Sequence, residues 1–105
     1  MNDKKLSQWQ TQLAATQAEL GLLGPMRPGS LSRQFKDPAN KTGAYWQLSY
    51  THAMRSRSRY VRPDDVALFK PLLANFKRFR ELVDRCVDLS VKIADRQADL
   101  RRKAE

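Results

Sequence analysis

Residues 44–61 read AYWQLSYTHAMRSRSRYV, two runs of alternating character on either side of a short connection. In the first run Trp46, Leu48 and Tyr50 alternate with Tyr45, Gln47 and Ser49. In the second, Arg55, Arg57 and Arg59 alternate with Ser56, Ser58 and Tyr60. A helix would scatter these side chains around its axis, whereas a strand lines each set along one face. Two such runs so close together predict a β-hairpin. Loop length then decides its faces, because a one-residue slip exchanges them. An even loop would place Trp46, Leu48 and Tyr50 beside Arg59, Arg57 and Arg55 and leave no core face. An odd loop at His52–Met54 places the apolar three opposite Tyr60, Ser58 and Ser56. It gathers Arg55, Arg57 and Arg59 with Tyr45, Gln47, Ser49 and Thr51. That amphipathic ribbon is the expected arrangement.

The flanks supply the rest of an α+β fold. Upstream, residues 24–43 hold three of the five prolines and three of the four glycines, and read as loop with a short strand at SLSRQF. Before them, residues 1–23 place Leu6, Trp9, Leu13, Thr16, Leu20 and Leu23 at spacings of three and four, an amphipathic helix stopped by GLLGP. Downstream, residues 63–104 predict a long helix, with Pro63, Asp64 and Asp65 suited to its first turn. Its seam runs through Phe69, Leu72, Phe76, Phe79, Val83, Cys86, Ser90, Ile93, Gln97 and Leu100. Pro71 should mark a kink or a short leading helix. The expected architecture is a single domain of N-terminal helix, small antiparallel hairpin or sheet, and long C-terminal helix, the two helices forming a coiled-coil-like pair. The first helix would span ~30 Å and the last ~50 Å from Pro71 onward. An overhang carrying Leu89, Val91, Ile93 and Leu100 would then need another surface, most simply a second copy in a homodimer.

Charge is the first functional pointer. The chain of 105 residues carries a net +9. Across residues 25–62, Arg27, Arg33, Lys36, Lys41, Arg55, Arg57, Arg59 and Arg62 stand against Asp37 alone, so most of the excess lies in the central third. Such concentration points to an anionic partner. No apolar run approaches the ~20 residues that cross a bilayer, so a membrane role is not expected. MNDKKLSQWQ lacks a secretory pattern, and the single Cys86 suits a reducing cytoplasm. One Cys and one His do not make a zinc site, which takes about four ligands; neither a metal nor another cofactor is expected.

Nothing assembles into catalytic machinery. His52 sits in the expected turn with no nucleophile or carboxylate beside it, Cys86 lies in a helical seam, and no phosphate-binding glycine loop exists. The Arg55, Arg57 and Arg59 row is the best candidate site. Arginine forks onto phosphate oxygens or a guanine edge, and a two-stranded ribbon fits the major groove of duplex DNA. Tyr45, Gln47, Ser49 and Thr51 would add neutral donors on the same face, with Arg62, Arg33, Lys36 and Lys41 extending the basic surface. Lys77, Arg78 and Arg80 read instead as structural, through the pairs Lys77–Glu81 and Arg80–Asp84. The expected function is non-enzymatic binding of double-stranded DNA. A coiled-coil adaptor for an acidic protein surface is the alternative, and RNA binding, with Tyr45 stacking a base, the third.

The motifs MRPGSLSRQF, TGAYWQLSY, MRSRSRYVR and NFKRFRELVD, over about residues 26–84, resemble a family of small uncharacterised bacterial proteins found beside transposases and recombinases. Relatives often carry a cysteine cluster where this chain has KDPANK, so a zinc-stabilised loop does not carry over. The resemblance implies the helix–hairpin–helix layout, a mobile-element setting in the bacterial nucleoid, and a recombinase or transposase as a further partner. It implies no activity.

Overall fold

The computed structural model describes residues 3–104. Helix α1 spans Lys4–Leu22; strands β1 (Ser30–Asp37), β2 (Thr42–His52) and β3 (Arg55–Val61) follow; a 3₁₀ turn at Pro63–Asp65 leads into helix α2, Val66–Ala104. The architecture is the α+β one expected, with the loop strand lengthened into a full member of a three-stranded antiparallel sheet of order β1-β2-β3. The chain divides into two compact units, residues 24–77 and the two helical stretches 1–23 and 78–105.

The sheet unit is organised around its central strand. Leu31, Leu48 and Arg59 lie in one cross-strand row, and Arg33, Trp46 and Val61 in the next. Leu48 is fully buried and Val61 nearly so, packed with Val66 and Phe69 from the start of α2. Leu31, Trp46, Tyr50, Leu72 and Leu73 close around them. The segment before β1 is tied to α2 by Arg27 N–H donating to the Leu72 carbonyl at 3.1 Å and Asn75 Nδ2 donating to the Pro25 carbonyl at 2.9 Å. Gly29 makes the entry into the sheet possible. It sits at φ +136°, and a Cβ there would lie 2.8 Å from Leu48 Cδ1 and 3.0 Å from the Ser49 carbonyl oxygen.

The β2–β3 turn overturns the expected parity. His52 pairs with Arg55, leaving Ala53 and Met54 as a two-residue loop, both at positive φ. That is the backbone of a primed hairpin turn, whose twist matches the flanking strands. The even loop puts Arg55, Arg57 and Arg59 on the face of Trp46, Leu48 and Tyr50, and moves Tyr45, Gln47, Ser49 and Thr51 to the other. A core face exists nonetheless, because it is built from three strands and a helix rather than from the hairpin alone.

Pro71 does not interrupt α2, which is continuous from Val66. The lost ladder bond falls on the carbonyl of Ala67, exposed in the first turn where water serves it.

In the helical unit α1 shields the seam read from the sequence: Thr16 is buried and Leu6, Trp9, Leu13, Leu20 and Leu23 are half-buried. The α2 seam shifts after Phe79. Leu82, Leu89 and Ile93 are buried, whereas Ser90 and Gln97 are exposed and Val83 is only half-buried. The shifted line keeps the three-four spacing and places leucines where the expected one had polar residues. Glu19 accepts from Arg78 Nε at 2.6 Å and Asp3 from Arg96 Nε at 2.8 Å, which sets the helices antiparallel. Arg78 also pairs with Glu81 at 3.2 Å, so the structural ion pairs of this region belong to Arg78 rather than to Lys77 and Arg80. The overhang is also corrected: Leu89 and Ile93 are already covered within the pair. The early residues of α2 serve the sheet, so α1 meets only the later part. Val87 and Val91 remain open, at 55% and 53% exposure.

Asp3 is the N-cap of α1, its Oδ1 accepting from the Leu6 N–H at 2.9 Å. That hydrogen bond, with the Arg96 guanidinium behind it, holds the carboxyl below its ordinary pKa.

Two outcomes follow from this packing. Gly29→Ala should destabilise the chain by roughly 1–3 kcal/mol, from positive-φ strain and the clash on Leu48, measured by urea unfolding. Because the folded chain binds the Asp3 proton less readily than the unfolded one, the stabilisation is complete above the unfolded carboxylate pKa, ~3.9, and is lost as pH falls through the lower folded value. The melting-temperature gap between parent and Asp3→Ala should therefore be widest at neutral pH and close progressively in acid, as followed by circular dichroism.

Candidate nucleic-acid interface

On the helix-bearing face of the sheet, the part beyond the apolar core is arginine. Cross-strand pairing sets Arg57 beside Tyr50, Arg59 beside Leu48, and Arg55 beside His52 at the hairpin end. Arg59 folds back over the Phe69 ring, its guanidinium carbon 5.5 Å from the centroid. Arg27 stacks on the same ring at 5.2 Å and on Tyr50 at 4.6 Å. The stems thus lie along apolar surface while the charged heads stay at its rim. Arg55, Arg57 and Arg59 are exposed, and among the described residues no ion pair uses them. Residues 38–63 contain no acid. A groove of about 420 Å³ lined by Met26, Arg27, Pro28, Tyr50 and His52 borders this cluster.

The expected site residues divide. Arg33 shares the face of the arginine row, exposed and opposite Trp46. Tyr45, Gln47, Ser49 and Thr51 lie on the opposite face, and strand alternation places Lys36 there as well. Lys41 occupies the β1–β2 turn, at the other end of β2 from Met54. Arg62 leaves β3 at that same end and starts the 3₁₀ turn. The opposite face is uncharged over most of its area. It carries Ser30, Ser32, Gln34, Gln47, Ser49, Ser56 and Ser58, with the Tyr45 and Tyr60 rings 6.4 Å apart.

Arg27 belongs to the cluster and was not singled out by sequence reasoning. It lies in GPMRPG, where no periodicity tells which way a side chain points, and only its charge was legible. The arrangement suits repeated contact with an extended anion: guanidinium groups along a strand at every second residue recur about every 7 Å, and each presents a fork of donors.

Among the described residues no helix is long and apolar enough to cross a membrane. No curated protein and no solved structure matches the chain. Residues 3–71, well over half of the chain, match the model of a domain of unknown function, DUF6788, a description that carries neither an activity nor a genomic setting. The chain belongs to the DUF6788 family.

Proposed function

We propose that this protein is a non-enzymatic binder of double-stranded DNA that grips the phosphate backbone with Arg27, Arg55, Arg57 and Arg59. The observation that carries this reading is the row of exposed hairpin arginines, without an acidic partner, held on one face beside Arg27. Phosphate contacts of this kind supply affinity and position without reading sequence. The uncharged opposite face takes no part. An accessory role beside a transposase or recombinase, on the nucleoid, is the setting in which such a binder would work. A homodimer through α2 would present two arginine rows, with Val87 and Val91 as the apolar side chains left open for it.

Because the arginine stems line apolar surface, glutamine is the informative replacement. The triple variant Arg55→Gln, Arg57→Gln, Arg59→Gln should keep the parent's melting temperature and lower the salt dependence of duplex binding by up to ~3 in slope, near −0.9 per phosphate contact. Replacing Gln47, Ser49 and Thr51 by alanine should leave that slope unchanged. A triple variant that binds duplex like the parent would sink the reading. Preference for RNA over duplex, or capture of a recombinase without any nucleic-acid binding, would favour the other two readings. Sedimentation at high micromolar concentration should show a dimer; a monomer there removes the second arginine row.

A further inference from the structure

We propose that the hairpin tip carries an apolar wedge, Met54, which inserts between base pairs of duplex DNA and bends it; this rests on the duplex-binding reading above. Met54 is 98% exposed. A long apolar side chain in that position buries nothing within this chain and contributes nothing to its core. Its backbone is unfavourable as well. Ala53 and Met54 both sit in the left-handed region, at φ 52° and 64°, where a two-residue primed turn favours Asn-Gly. Neither alanine nor methionine suits that conformation, and no tertiary packing compensates them. A local rule broken at an exposed tip points to what the side chain does there.

The surroundings define the ligand. Arg55 and His52 flank the turn as a cross-strand pair, and Arg57 follows one row behind beside Tyr50. With those guanidinium groups on the phosphates, the turn between the strands projects toward the stacked bases. Proteins that kink DNA insert Phe, Leu, Ile, Met or Pro between base steps. Methionine suits the task because its unbranched, polarizable thioether adapts to an irregular gap. Unstacking one step costs free energy that the additional phosphate contacts along a bent duplex offset. Steps that unstack easily, pyrimidine followed by purine, are therefore the preferred insertion points.

The test compares the parent chain with Met54→Leu and with the double variant Ala53→Asn, Met54→Gly, which relieves the turn and keeps every charge. A short duplex with fluorophores at its ends reports bending, and 2-aminopurine beside a TA step reports unstacking. The parent should bend the duplex by roughly 20–90° and raise 2-aminopurine emission. Met54→Leu should behave like the parent. The double variant should melt at a higher temperature and bind with the parent's salt slope, yet leave the duplex straight and stacked. Bending by the double variant, or binding by the parent without bending, overturns the wedge and leaves the duplex-binding reading standing. No duplex binding by the parent at low salt overturns both. Met54-dependent association with phosphatidylserine vesicles, with the duplex left straight, would replace the wedge with a membrane contact.

Discussion

Only two residues separate the paired His52 and Arg55, and that count fixes the side of the sheet taken by every β3 side chain. It commits Arg55, Arg57 and Arg59 to the face that also carries Leu48. Burial of an unpaired guanidinium would be prohibitive, so α2 covers only part of this face. It lays Val66 and Phe69 over Leu48 and Val61 and stops short of the arginine heads. The boundary between core and basic surface therefore runs across one face of one sheet, instead of between two faces.

Aromatic rings make that boundary tolerable. Phe69 is itself nearly buried, yet Arg27 and Arg59 both approach its face. Stacking there allows a cation to shield apolar surface while keeping its outer edge in water. The same contacts restrict guanidinium groups that would otherwise sweep through solvent, so less rotamer freedom remains to be lost when an anion binds. Core packing and ligand readiness arise from the same side chains.

Much of this was legible in the chain. The α1 seam from Leu6 to Leu23 appears as read, because leucine and tryptophan at three-four spacing have one way to hide. The strands emerged from period two, and the concentration of positive charge marked the right segment. Parity was misread because the hairpin was weighed alone; Leu31 and Phe69, distant in sequence, supply the core that an even loop seemed to forbid. The one-position shift from Ser90 to Leu89 in α2 has a similar origin, since two heptad lines share Phe79, Cys86 and Ile93 and only the partner helix chooses between them. Arg27 escaped notice because a Pro- and Gly-rich loop carries no directional pattern.

The bond between Asp3 and Arg96 closes almost the whole chain, and this orders events during synthesis. The sheet is assembled from neighbours, joined by turns at Pro38–Lys41 and Ala53–Met54, and its strands can pair soon after they emerge from the ribosome. Helix α1 is made first but lies against residues made last. Until Leu82, Leu89 and Ile93 have been translated, Trp9 and Leu13 have no partner, and the nascent chain presents an open amphipathic helix to whatever receives it at the exit tunnel. Loop closure over such a separation is slow compared with strand zipping, so the first element made is the last to find its place.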